Sequence, residues 1–142
     1  MKVGDVMTRD IEFIDGASSL QEAAEMMGEL DVGALPVGSA GQLEGLLTDR
    51  DILYRYVAKG LAPGNVVVRD VMTSPVISCD EDDTLRDALD AMAANHIRRM
   101  PVADRRGRVV GWITLADLSR KLLIDSAALQ NFMRDLTEVQ AP

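Results

Sequence analysis

Val3-Gly4-Asp5-Val6-Met7-Thr8 returns later in the chain as Val68-Arg69-Asp70-Val71-Met72-Thr73, and that return decides how the rest is read. At the same spacing Asp15 meets Asp80, Leu20 meets Leu85, Ala23 meets Ala88, Met27 meets Met92, and Pro36-Val37 meets Pro101-Val102. After one inserted residue, Gly41, Gly45, Thr48 and Asp51 match Gly107, Gly111, Thr114 and Asp117. Identities held in register over so long a span mark a duplicated unit, each copy of which buries apolar surface against its neighbour.

Working outward from that repeat, each copy carries the order β-α-β-β-α. Residues 11–14 and 76–79 are short β-rich stretches that end at an acidic turn. Leu20, Ala23, Ala24, Met27 and Leu30, then Leu85, Ala88, Leu89 and Met92, fall on the stripe of an amphipathic helix. Ser19 with Glu22 and Thr84 with Asp87 read as N-terminal caps, a side-chain oxygen taking a free N–H and an acid favouring the dipole. Residues 34–37 with 43–47, and 99–103 with 109–113, are apolar runs joined by Gly-containing turns, which predicts hairpins. Second helices are expected over 49–59 and 115–123, with Gly60 at the left-handed position beyond the first. The predicted fold is α/β, of the α+β kind: units at 1–60 and 68–124 packed as a pseudo-two-fold pair, with 61–67 as linker and 125–142 as a C-terminal helix and tail.

The composition suits a packed domain. With 142 residues, 47% hydrophobic and 27% charged, the chain can bury roughly two-thirds of its unfolded surface without a metal or disulfide staple. Fifteen Lys and Arg against 23 Asp and Glu leave a net charge of −8, which repels phosphate backbones and anionic bilayers, so neither nucleic acid nor membrane is an expected partner. Cys79 has no second cysteine to pair with, and with His96 alone it offers no zinc cluster. No secretion signal or long apolar run is readable, and the expected location is cytoplasmic.

The pattern resembles the tandem cystathionine-β-synthase-type (CBS) repeat, or Bateman module. The marks are the D-V-M-T at the head of each unit, the aliphatic-P-V strand, and Gly45-Leu46-Leu47-Thr48-Asp49-Arg50-Asp51 with Gly111-Trp112-Ile113-Thr114-Leu115-Ala116-Asp117. Gly33-Ala34-Leu35-Pro36-Val37 followed by Leu47-Thr48-Asp49-Arg50-Asp51-Ile52 further resembles small standalone bacterial members made of the pair alone. The resemblance implies a non-catalytic regulatory module that binds an adenine nucleotide or other adenosyl ligand between its units. AMP, ADP, ATP, NAD and S-adenosylmethionine form the implied ligand set, with no cofactor required. A homodimer of pairs and an effector protein that receives the signal are implied as partners. Carried over by position, the resemblance gives the ribose to Asp51 and Asp117, phosphate to Thr48 and Thr114, and the adenine walls to Ile11 and Val76. Arg98 and Arg99 lie where family members often meet phosphate, and Arg50 is a third candidate.

The same residues have plainer uses. Thr48 and Thr114 cap the second helices, with Asp51 and Asp117 in the first turn; a helix start so arranged is also a phosphate site, so the two uses are compatible. Arginines at a strand end are usually solvated. Gly33 and Ala34 stand in the first copy where Arg98 and Arg99 stand in the second, which predicts at most one strong phosphate cleft, or one favouring an uncharged adenosyl ligand. Trp112, matching Leu46, reads first as core, with packing near an adenine as the alternative; Cys79, matching Ile14, as a buried small hydrophobe; His96 as a partner of a helix C-terminus. Two other function classes stand beside the sensor. One is a ligand-free pair acting as a dimeric protein–protein interaction module, which Gly33-Ala34 favours. The other is a nucleotide-processing enzyme, for which one histidine and one cysteine leave few constellations.

Overall fold

The computed structural model describes residues 1–125 and the helical positions 131, 134 and 135; the helix and tail expected beyond 125 otherwise lie outside the described residues. In the first half, α1 (Leu20–Leu30) starts at Ser19, whose Oγ accepts from the Glu22 N–H, and buries Leu20, Ala23 and Met27. It packs on a hairpin of β1 (Ala34–Gly38) and β2 (Leu43–Thr48), antiparallel with a bulge at Val37/Gly38. Gly38 is required there, since its φ is +113° and a Cβ would run into the Gln42 carbonyl. The second half follows the plan with α4 (Leu85–Asn95), capped by a reciprocal Thr84–Asp87 box, and the hairpin β4 (Arg99–Ala103) and β5 (Val109–Thr114). It closes with α5 (Leu115–Asp125).

Two elements differ from expectation. The leading strands are shorter: in the first half only Ile14 pairs, parallel to Val37, and in the second β3 (Cys79–Asp80) pairs parallel to Val102 and Ala103. Pro75 has no N–H to give a ladder, and Asp10 and Glu12 stay exposed, so these segments skirt the sheets instead of joining them. The helix after β2 is α-helical over α2 (Asp49–Asp51) and widens to a π-turn over Ile52–Val57, before Gly60 takes the expected left-handed φ of +66°. Among the described residues no helix is long and apolar enough to cross a membrane.

The duplicated heads trade places. Val3 and Met7 belong to the core built by Leu85, Ala88, Met92, Met100, Ile113 and Leu118 of the second half. Val68 and Val71, on α3 (Val68–Val71), belong to the core built by Ile14, Leu20, Ala23, Leu35 and Leu47 of the first. Backbone bridges repeat the exchange symmetrically: Thr8 with Trp112 and Thr73 with Leu46, Lys2 with Thr84 and Val67 with Ser19. The glycines of the second strands make it feasible. A Cβ on Gly111 would overlap the Met7 thioether, and one on Gly45 the Met72 side chain. The repeat in sequence and the packed unit in space are therefore different sets of residues.

Candidate functional site

The exchange leaves a cleft of about 600 Å³ with walls from both halves. Trp112, Thr114, Asp117 and Arg99 come from the second half; Leu30, Val32, Gly33 and Ala34 from the α1–β1 corner of the first; and Thr8, Asp10, Ile11 and Glu12 from the leading segment. Strand alternation puts them there. Val109, Gly111 and Ile113 of β5 are buried, so Trp112 and Thr114 face the other way. Trp112, expected in the core, is half-buried and lines the cleft for that reason. Leu30 and Val32 are exposed apolar side chains that the other half adds to the lining, so both halves supply apolar surface suited to a flat aromatic ring.

At the start of α5, the Asp117 N–H donates to Thr114 Oγ1 at 3.1 Å and the Thr114 N–H to Asp117 Oδ2 at 3.3 Å. The other carboxylate oxygen, Oδ1, has the Arg120 guanidinium 3.8 Å away, too long for a strong hydrogen bond. An oxygen in that state can accept from a ligand hydroxyl. The Leu115 N–H is already taken by the Arg98 carbonyl at 2.7 Å, so fewer of the first-turn donors remain for a phosphate than a bare helix end would offer.

Of the two adjacent arginines, Arg99 lines this cleft and Arg98 lines a separate hollow of about 580 Å³, with Arg86, Asp90 and His96. Gly33 makes room for the first: a Cβ there would stand 3.4 Å from Arg99 Nη1 and 3.1 Å from Asp49 Oδ2. The glycine thus faces the arginine across one cleft, an arrangement that aligning the copies does not reveal. Asp10, Glu12 and Asp117 against one guanidinium make the lining acidic, which opposes a polyphosphate more than a nucleoside or monophosphate.

The matching carboxylate of the first half has a different setting. Asp51 is buried, accepts from the Thr48 N–H at 3.0 Å, and receives the Thr73 hydroxyl at 3.0 Å on Oδ1 and 3.2 Å on Oδ2. Arg55 Nε lies 3.7 Å from Oδ1. Arg50 turns away, its guanidinium 5.8 Å from the Tyr54 ring centroid, and Val76 is half-buried. Thr114, Asp117, Arg99 and Ile11 are therefore brought together, Thr48 and Asp51 form a second group with Thr73, and Arg98 and Arg50 stand apart from both. Thr8, Asp10, Glu12, Leu30 and Val32 escaped the sequence reading. The signal for Thr8 was available in the D-V-M-T repeat, whose threonines each bridge to the other half.

Cys79 is a buried free thiol. Burial pushes its thiol up to about 11, with the charges of Asp83 and Asp80 adding to the effect. The group's pKa is higher folded than unfolded, so it favours the native state below the unfolded value of 9.0, and that contribution is lost as pH rises toward about 11. In a thiol-disulfide exchange assay at pH 8, the folded protein is expected to leave its single thiol unmodified while urea-unfolded protein reacts; equal rates would contradict the burial. Among the described residues no group of His, Cys, Asp and Glu is arranged to hold a metal ion.

Comparison with known proteins gives a consistent answer. The family model described as "CBS domain" matches residues 3–58 and again 68–124. The chain is 37% identical over 126 residues to the CBS domain-containing protein YhcV of Bacillus subtilis (strain 168), covering 89% of each. Its structure resembles that of CBSX2 in complex with AMP, with a TM-score of 0.71 and 28% identity over 86% of this chain and 96% of the other. It also resembles the CBS domain pair of MJ0100 in complex with 5′-methylthioadenosine and S-adenosyl-L-methionine, with a TM-score of 0.76 and 28% identity over 86% and 99%.

Proposed function

Since the chain belongs to the CBS-domain family, we propose that it is a non-catalytic sensor that takes an adenosyl ligand into the cleft between its halves and reports occupancy through their relative placement. The observation that carries this is the composition of the cleft: the carboxylate of Asp117 comes from one half and the apolar Leu30–Val32 wall from the other. A ligand touching both has different affinities for different arrangements of the two, and such differential affinity is what shifts a conformational equilibrium. Adenine would lie between Ile11 and the apolar wall, the ribose hydroxyls on Asp117, and a single phosphate near Arg99. The structures of CBSX2 with AMP and of MJ0100 with 5′-methylthioadenosine and S-adenosyl-L-methionine support this ligand class.

Trp112 is the single tryptophan of the chain and lines the cleft, so its emission is a direct reporter. Titration with AMP or 5′-methylthioadenosine is expected to change that emission saturably; a flat response to both up to millimolar concentration would sink the sensor reading. In the same assay Arg99→Gln removes a charge-assisted hydrogen bond of about 1.5–3 kcal/mol, roughly ten- to hundredfold in affinity, for AMP. Methylthioadenosine, which has no phosphate, should be unaffected.

We also propose that the chain works as a homodimer that presents its ligand state to an effector protein. Leu53, Tyr54 and Val57 stand exposed beyond the start of α2, and Leu122 and Ile124 on α5, more apolar surface than single scattered residues would account for. Light scattering at micromolar concentration is expected to give twice 15.4 kDa; the monomer mass would contradict it. The same faces favour the alternative, a ligand-free interaction module, which a silent Trp112 together with a dimer mass would select.

A further inference from the structure

Duplication produces two carboxylates in matching positions, yet the structure treats them differently. Asp51 and Asp117 each form a reciprocal cap with their threonine, Thr48 and Thr114. Beyond the cap, Asp51 is satisfied from inside: Thr73 donates its hydroxyl across both carboxylate oxygens at 3.0 and 3.2 Å, whereas the neighbouring arginines, Arg55 at 3.7 Å from Asp51 and Arg120 at 3.8 Å from Asp117, are alike. Its side chain is 10% exposed, against 24% for Asp117.

The contrast does not come from the backbone. Thr73 bridges to Leu46 as Thr8 bridges to Trp112, each through a pair of N–H to carbonyl bonds of 2.8–2.9 Å. Yet among the described residues only Thr73 hands its hydroxyl to the aspartate; Thr8 lies exposed in the lining of the open cleft. A ribose hydroxyl approaching Asp51 would replace a hydrogen bond of the same kind already made within the chain. Such an exchange returns little free energy, and the entropy of capturing a ligand still opposes it. At Asp117 a ligand hydroxyl meets an oxygen with no such bond among the described residues.

Resting on the sensor reading, we propose that Thr73 withholds Asp51 from ligand by satisfying it from within, so that the chain takes one adenosyl ligand, at the Asp117 cleft alone. Thr73 is then the residue that sets stoichiometry, and losing its hydroxyl gives the chain a second site.

Isothermal titration of the full chain with AMP, and in parallel with 5′-methylthioadenosine, tests this. The expected stoichiometry is one ligand per chain for the wild type, two for Thr73→Ala, and one again for Thr73→Ser, which keeps the hydroxyl. In the Thr73→Ala background, Asp117→Ala should leave the new site alone, with one ligand per chain. Two ligands on the wild type overturn the proposal, as does a folded Thr73→Ala that still takes one; Thr73→Val, of nearly native shape, replaces it if circular dichroism finds the alanine variant unfolded. No saturable binding of either probe by the wild type overturns the sensor reading itself, and this inference with it, so the two failures are told apart.

Discussion

A carboxylate introduced at Val68 is expected to unfold the half of the molecule to which, by sequence, Val68 does not belong. Val68 opens the second repeat, but its side chain is fully buried among Ile14, Leu20, Leu35 and Leu47. None of these offers a partner for a charge, and an uncompensated buried carboxylate costs at least about 3 kcal/mol. Against a total stability of roughly 5–15 kcal/mol, that is enough to melt a half-core selectively. Hydrogen exchange of Val68→Asp should therefore show lost protection over residues 20–48 first, with 85–118 retained longer. Protection lost first over 85–118 would mean that the heads do not cross.

Asp117→Ala is expected to abolish the thermal response to ligand. At a hundredfold excess over Kd, a ligand that binds only the native state stabilises it by about 2.7 kcal/mol, roughly 10 °C in a chain of this size. Removing the carboxylate takes away the ribose acceptor. It also removes the Thr114 N–H partner, so the unliganded protein should lose the roughly 1 kcal/mol of stability typical of a lost capping interaction, and its midpoint should fall accordingly. The reading that matters is the difference with and without AMP in each protein. A shift of wild-type size in Asp117→Ala would take the ribose away from this residue.

Much of this architecture was legible because duplication supplies its own control. An apolar stripe that occurs twice in register, with Ser19 and Thr84 at matching starts, is hard to misread, and both α1 and α4 stand where the spacing placed them. The caps at Thr48 and Thr114 were equally readable, because a threonine three residues before an aspartate has few other things to do at a strand-to-helix turn. What the repeat could not disclose is partnership across it. Identical heads look as though each serves its own unit, and only packing reveals that Val3 completes the second core and Val68 the first. For the same reason the pairing of Ile11 with Asp117 in one cleft, and the meeting of Gly33 with Arg99, were hidden. For Trp112 the apolar neighbours favoured the core over its alternative place beside a ligand, although alternation along β5 turns it outward into the cleft. The leading strands were overestimated because β-branched residues satisfy a wall beside a cleft as well as they satisfy a ladder.

The crossed heads also set an order of events during synthesis. As the chain emerges, residues 14–47 can collapse locally, and the arrival of Val68 and Val71 completes that half while the rest is still being made. The second half has the opposite problem: two of its core pieces, Val3 and Met7, are made well before the rest of it, and they have no complete core to enter until Leu118 has been added. Closing that contact spans nearly the whole described chain, the kind of long-range closure that slows folding. Until then Val3 and Met7 stay uncovered on the nascent chain, and transiently exposed apolar surface of that kind is where aggregation starts.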